Sequence, residues 1–434
     1  MIKKLLSKVK QFGKEGLFHI FGSSVLAKVG GIISSVVVIR KLPKTDYGSY
    51  VDAENLYAYF AIFIGLGIAS AMIQYCSENV SEGRKNALYR YSLGMGMVGN
   101  FILLPLILGV AALKYLGGST AEAAYLSMLG FLPFFAYADQ YLQLVLRVKL
   151  KNKAFSRTNM IYTVTHVCGN IVLTLLFGVP GLILSQYVGH AVAALHSVFV
   201  LRKEKFFRGI SAAEEKLARK DRREYISYSL VCAVTNFTST ALMLLDVTCL
   251  GLVLDDPTVL ADYKVAATIP SALLFVPKSL MTFYYPKLVR AFSESKARGF
   301  KEVKGLIKVY ALVNGGIFVC LTVFAPLIIR ILYGEKYSNV VPIFIILGTN
   351  YLVCSFKNIT GNTIAVLKKV KMNLLFAALS GVLNIGLNLC LIPSLGSVGA
   401  AVATLCVSCC VVAMNTVYLI LYAKKPEEPN ANTL

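Results

Sequence analysis

Lys28 stands in the middle of an apolar run that extends from residue 17 to residue 39. If that run is a helix crossing a bilayer, a rise of 1.5 Å per residue puts Lys28 ~17 Å from either interface, farther than a lysine side chain comfortably snorkels. Charge at that depth is costly and ordinarily faces a cavity or a partner. Gly30, Gly31, Ser34 and Ser35 around it are small enough to let other helices approach closely. A second lysine, Lys278, follows Pro277 in the run 262–286, where Pro270, Pro277 and Pro286 each remove a helical hydrogen bond. We read Lys28 and Lys278 as cavity-facing cations that meet a substrate, and Pro270 and Pro277 as kinks of a moving gate. The plainer alternatives are a lysine locked to a carboxylate for structure, and a bent helix that only faces lipid.

The obvious intramembrane carboxylate is Asp246. Counting along the helices sets it ~10 Å shallower than Lys278, so a direct pair needs tilt or bending. It reads as a counter-charge, a proton or sodium site, or a residue of the outer mouth. Polar side chains also recur at helical spacing. Asn159, Thr163, His166 and Asn170 follow at intervals of four, three and four, and Asp139, Gln143 and Arg147 at four and four. Each set marks one helix face. Lipid offers no hydrogen bonds, so both faces are expected to turn inward. Contact with substrate and simple interhelical glue account for them equally well. Asp139 joins Asp246 as a candidate for a coupling ion or counter-charge. His166 has an imidazole of the kind that titrates near neutral pH, although a lone histidine is more often a packing residue.

Enzymatic signatures are missing. There is no Walker loop, no Gly-x-Ser-x-Gly, no His-Glu-x-x-His and no pair of loop carboxylates set for acid–base work. No cofactor and no metal are expected. The ten cysteines have no zinc-site spacing, and all except Cys76 fall within or at the ends of apolar runs. They are expected to be small, buried packing residues.

The elements that must position these groups follow from composition. A chain of 434 residues that is 56% hydrophobic and 15% charged, with a mean hydropathy of +0.66, is too apolar for a soluble fold of its size. Its charges cluster between apolar runs of the length that a ~30 Å hydrocarbon core requires, and only helices satisfy their backbone alone in lipid. The expectation is an all-α membrane protein with twelve spans: 17–39, 51–75, 91–113, 121–146, 158–178, 181–201, 226–252, 262–286, 305–329, 338–356, 372–393 and 397–422. With the N-terminus inside, 33 of the 44 Lys and Arg fall on inward segments and seven on outward loops. That bias places both termini in the cytoplasm. Residues 1–16 carry Ile2, Leu5, Leu6, Val9 and Phe12 on one face and lysines around the rest, which suits an interfacial helix rather than a cleavable signal. The net charge of +22 does not indicate a nucleic-acid partner, because spans separate the basic clusters.

The expected domains are the interfacial helix 1–16, an N-terminal lobe 17–202, a charged cytoplasmic linker 203–225, a C-terminal lobe 226–423 and a cytoplasmic tail 424–434. The lobes repeat each other. A shift of 218 positions carries Asn170 onto Asn388, Gly178 onto Gly396, Gly181 onto Gly399, Lys151 onto Lys369 and Lys153 onto Lys371. Six spans per repeat is an even number, so the halves should be parallel and pseudo-symmetric about the membrane normal.

Several segments look familiar together. Arg40-Lys41-Leu42-Pro43-Lys44-Thr45-Asp46-Tyr47-Gly48-Ser49-Tyr50 resembles the first-loop signature of polysaccharide flippases, and Gly65-Leu66-Gly67 fits the next span. Ala261-Asp262-Tyr263-Lys264-Val265-Ala266 followed by Tyr285-Pro286-Lys287 is similar to their seventh-to-eighth-span pattern. Leu383-Asn384 through Asn388, Leu391-Ile392-Pro393 and Gly396-Ser397-Val398-Gly399-Ala400-Ala401 resemble the eleventh-to-twelfth-span segment. The resemblance is to O-antigen and capsule repeat-unit transporters of the multidrug/oligosaccharidyl-lipid/polysaccharide (MOP) superfamily.

That resemblance implies two lobes around a central cavity, alternating access, and a polyprenyl-pyrophosphate-linked oligosaccharide moved from the inner to the outer leaflet of the cytoplasmic membrane. Lys28 and Lys278 fall on the spans where related flippases place cavity-facing basic residues, commonly Arg. A lysine offers a point charge where arginine offers a fork. Coupling to a proton and coupling to a sodium ion are both open, and the partners implied are membrane lipids, the lipid-linked glycan and glycan-assembly proteins. A cation-coupled multidrug or small-molecule exporter of the same superfamily is the alternative; it should favour carboxylates where Lys28 stands. A glycan polymerase or ligase is the third reading, against which stands the lack of a long outward loop.

Overall fold

The computed structural model describes residues 17–77, 81–211, 217–254 and 256–424. The interfacial helix expected at 1–16 and all of the tail beyond Lys424 lie outside them. In chain order the helices are α1 (Leu17–Lys41), α2 (Lys44–Ala61), α3 (Ile68–Ser77), α4 (Glu82–Leu116), α5 (Thr120–Leu129), α6 (Leu132–Val148), α7 (Asn152–Phe177), α8 (Val179–Lys203) and α9 (Phe206–Ser211). Then follow α10 (Arg219–Val253), α11 (Pro257–Leu273), α12 (Phe275–Glu294), α13 (Lys296–Val323), α14 (Ala325–Tyr333), α15 (Val341–Val366) and α16 (Val370–Lys424). The expected spans fall mostly on helix, several of them broken within (51–75, 121–146, 262–286 and 305–329), and among the described residues 17–39 and 226–252 do not count as membrane-length stretches. Among the described residues nine continuous stretches are long and apolar enough to cross a membrane, the last of which, Lys371–Lys424, contains two expected spans. Large apolar side chains such as Leu116, Leu252 and Leu312 lie fully open on the outer faces. Lipid, not water, is the solvent that suits such a surface. This is a multi-pass helical membrane protein.

The breaks between helices have local causes. Pro277 has no N–H to give the carbonyl of Leu273, and α11 ends at that residue. Tyr310 of α13 donates to the carbonyl of Pro277 at 2.6 Å and so ties the broken segment to its neighbour. Pro270 sits inside α11 without ending it. Between α2 and α3 the chain passes through Gly65 (φ 64°) and Leu66 (φ 51°), with the N–H of Gly65 facing the side-chain oxygen of buried Asn100 at 3.4 Å.

The chain forms two compact units, residues 1–244 and 245–434. The seam lies beyond the expected linker and inside α10, for a physical reason. The first half of α10 buries Tyr225 among Tyr89, Tyr137 and Tyr141, and the Tyr225 and Ser92 hydroxyls share a 2.6 Å hydrogen bond. Phe237 of the same helix lies against Tyr59 and Phe63. The last turns of α10 instead carry Asp246, whose partners all belong to the second unit. The expected linker 203–225 holds α9 and the start of α10.

The repeat is visible in the backbone. Gly178 (φ 64°, ψ −138°) and Gly396 (φ 55°, ψ −133°) turn the chain in nearly the same way at two corresponding hairpins. Leu150 (φ 57°) and Lys368 (φ 59°), again 218 residues apart, take the left-handed turn after α6 and α15. The N–H of Lys151 then reaches the carbonyl of Leu146 at 2.9 Å, and that of Lys369 reaches Ile364 at 3.1 Å. Both are the six-to-one closure of a Schellman cap.

One sequence expectation fails. Cys76 is buried inside α3, but Cys168, Cys320, Cys390, Cys406, Cys409 and Cys410 are exposed on the protein surface. They lie on outward faces among side chains such as Leu389 and Val319. A thiol is apolar enough to face lipid, so an apolar run does not by itself predict which cysteine is packed inside.

Candidate functional site

In the second unit the site is built around Asp246. Pro257 opens α11, and the Asp256 side chain caps it by accepting from the N–H of Thr258 at 2.9 Å. So anchored, α11 delivers the buried Tyr263, whose hydroxyl donates to Asp246 at 2.7 Å. Asn384 and Asn388 are one turn apart on the first arm of α16, and their amides donate to the other oxygen of Asp246 at 3.1 and 3.0 Å. Beyond the Gly396 turn the second arm returns with Thr404, whose hydroxyl also donates to the carboxylate. Four neutral donors therefore hold one carboxylate, which fills the acceptor capacity of an ionised aspartate. One oxygen is left over: the buried side-chain carbonyl of Asn388 has no hydrogen-bond partner.

Lys278 is not among the partners of Asp246, so the direct pair that helix tilt would have allowed is not formed. Lys278 is exposed on α12, and Lys28 is exposed on α1. Neither has an ion pair among the described residues. Close approach occurs beside Lys28 as its small neighbours suggest: a Cβ on Gly30 would stand 3.2 Å from Val167 of α7.

The first unit contains a cavity of about 380 Å³ between α6, α7 and α8, lined among others by Asp139, Gln140, Gln143, Arg147, Asn159, Tyr162 and His190. Both polar stripes reach it. Asp139 is almost wholly buried; one of its oxygens accepts from Gln143 at 2.8 Å and the other meets Nδ1 of His190 at 3.0 Å. The Tyr162 ring packs beside His190 at 4.7 Å and stacks on His166 at 5.5 Å. Thr163 spends its hydroxyl on the carbonyl of Asn159 at 2.9 Å. Asn170 lies deeper, where it accepts from Ser185. The stripes thus split: Asp139, Gln143, Arg147 and Asn159 share the cavity, His166 backs its aromatic wall, Thr163 bonds within its own helix and Asn170 bonds to α8.

Sequence reasoning missed Tyr162, His190, Tyr263, Asn384 and Thr404 as site residues. A usable signal existed for Asn384. The 218-residue offset that matches Asn170 to Asn388 also carries His166 onto Asn384, Lys28 onto Asp246 and Asp139 onto Lys357. The two units therefore exchange the sign of charge at two equivalent positions.

The profile of the polysaccharide biosynthesis protein family matches residues 14–292. The chain belongs to this family. The chain is 25% identical over 368 residues to a probable low-salt glycan biosynthesis flippase of Haloferax volcanii, with 84% of this chain and 74% of that one covered. It is 22% identical over 414 residues to an uncharacterized membrane protein of Methanocaldococcus jannaschii, with coverage of 89% and 80%. Among solved structures it overlays an inward-facing multidrug resistance transporter of the MATE family with a TM-score of 0.73, at 12% identity, covering 92% of this chain and 94% of that one. It overlays the lipid II flippase MurJ in an inward closed conformation with a TM-score of 0.69, at 14% identity, covering 94% and 87%. The fold is that of the MOP superfamily, as the sequence resemblance implied.

Proposed function

We propose that this protein is a flippase that moves a polyprenyl-pyrophosphate-linked oligosaccharide from the inner to the outer leaflet of the cytoplasmic membrane, with both termini in the cytoplasm. The observation that carries the reading is the pair of span lysines, Lys28 and Lys278, exposed and without ion pairs among the described residues in a chain of the polysaccharide biosynthesis family. An ammonium left unpaired at that depth is costly unless an anion or water reaches it. A pyrophosphate headgroup supplies the anion, and charge-assisted hydrogen bonds hold it. The reading makes the protein a transporter rather than an enzyme, in line with the relative described as a probable glycan biosynthesis flippase.

Asp246 is the coupling residue in this proposal. Its cage consists of hard, neutral oxygen and amide groups, and the unspent oxygen of Asn388 lies within it. Turning either asparagine amide by half a rotation exchanges N–H for C=O against the carboxylate. The cage then presents oxygens to a sodium ion, or shares a proton carried by Asp246 itself. Asp139 is engaged by His190 and Gln143 and acts as a counter-charge.

The test is export. Lys28→Ala and Lys278→Ala should each remove surface glycan while the protein stays inserted at normal abundance. A double variant that exports normally overturns the anion site. A multidrug exporter would instead gain from carboxylates at these positions, so Lys28→Asp with Lys278→Asp distinguishes the two activities.

A further inference from the structure

The cavity of the first unit was not needed for the headgroup or for coupling, and its chemistry is different from both. We infer that it is a subsite for an uncharged sugar residue of the glycan, separate from the lysines that take the phosphate; this deepens the flippase reading and rests on it.

The size is that of a ligand site: about 380 Å³, where pockets for small molecules begin at ~300 Å³. The charge is balanced. Asp139 and Arg147 contribute one carboxylate and one guanidinium to the wall, which leaves no excess of positive charge to neutralise a pyrophosphate. The buried Asp139 carboxylate would repel one directly.

What the wall does offer is planar hydrogen-bonding groups. Gln140, Arg147 and Asn159 line the cavity, and their side chains have no hydrogen-bond or ion-pair partner among the described residues. Arginine brings five N–H donors and each amide brings two donors and an acceptor. All three are exposed at the mouth of the cavity, where their donors and acceptors remain open to an entering ligand. Asp139 is already oriented by Gln143 and His190, so it is preorganised as an acceptor. Tyr162 and His190 supply an aromatic wall at one side. Amide, carboxylate and guanidinium planes beside aromatic edges match the hydroxyls and C–H face of a pyranose ring; they do not match an isoprenoid tail.

The chain has no tryptophan, so a single Tyr162→Trp variant in lipid nanodiscs, excited at the red edge where tyrosine does not absorb, reports on this wall with no other tryptophan emission. Phe155→Trp, on the cavity wall as well, is the second reporter in case the first variant does not fold. The probes are neutral methyl hexosides and disaccharides, with inorganic pyrophosphate as the anionic control. A saturable emission change with sugar and none with pyrophosphate is expected. Asn159→Ala or Gln140→Ala should weaken the apparent affinity about tenfold, as expected for losing one hydrogen-bonding group. Lys28→Ala and Lys278→Ala should leave sugar binding unchanged, which separates failure of this subsite from failure of the flippase reading. The inference is overturned if neither reporter saturates with any neutral sugar up to its solubility limit. It is equally overturned if pyrophosphate competes for the site, or if Asn159 and Gln140 do not matter.

Discussion

Lys28 and Asp246 occupy the same position of the internal repeat, 218 residues apart, and carry opposite charge. At this position the second unit has a carboxylate caged by Tyr263, Asn384, Asn388 and Thr404. The first unit has an exposed ammonium. The repeated scaffold thus carries an ammonium at this position in one unit and a carboxylate in the other.

Asp246→Asn should remove the ion dependence of transport while the protein remains folded. An amide cannot accept from four donors as a carboxylate can, so several of those donors lose their partner. Sodium-22 binding and export at varied sodium and pH should both become flat, with export reduced at least tenfold on the order of a lost coupling interaction. Retained ion dependence would place coupling elsewhere.

Gly178→Ala and Gly396→Ala should each destabilise the protein, by about 1–3 kcal/mol for a non-glycine residue forced into such a backbone region. The two glycines share nearly the same torsions, so the two losses should be similar. Thermal melting in one detergent, with each variant beside the parent, makes the comparison.

Leu150→Gly and Lys368→Gly should act in the opposite direction. Both residues hold positive φ at the close of a Schellman cap, where glycine carries no Cβ penalty. Relief of that strain is worth about 1 kcal/mol at each site, seen as a raised melting temperature. No gain at either position would show that the side chains there make compensating contacts.

Glu204 predicts a null effect near neutral pH. Outside the spans, its carboxyl is held below the usual range first by the hydrogen bond from Lys151, at 2.9 Å, then by the charge of Lys151, with Lys149 adding a little. A lowered folded value means the contribution is present above the ordinary carboxylate range and is lost only as pH falls through the lowered value. Glu204→Gln should therefore leave the slope of melting temperature against pH unchanged between about pH 6 and pH 8. A changed slope would show that this exposed pair is coupled to a group that titrates there.

The fold was legible because its strongest determinant, lipid, writes directly into composition. Apolar runs of the right length located the long helices, and the spacing of Asp139, Gln143 and Arg147 marked a helix face that lines the first-unit cavity. The Asp246 cage was half legible. The carboxylate stood out as charge in an apolar run, but Tyr263 and Thr404 are ordinary span residues until α11 brings the first to it and the return of α16 after Gly396 brings the second. His190 escaped for the same reason: its meaning comes from Asp139, fifty-one positions away. The cysteines were misjudged because sequence reports apolarity and not the direction in which a side chain points. The seam between units was misplaced because charge marks the linker, whereas aromatic packing decides which unit keeps the start of α10.

That last feature bears on any attempt to make the protein in two pieces. A cut in the charged linker, where sequence would place it, strips the first fragment of Tyr225, Ser229 and Phe237 and leaves an open socket of tyrosine rings. Co-expressed fragments severed there must reassemble through this socket, with the opening turns of α10 as the plug. A fragment ending at Leu244 keeps its own plug, and should be the half that survives purification alone.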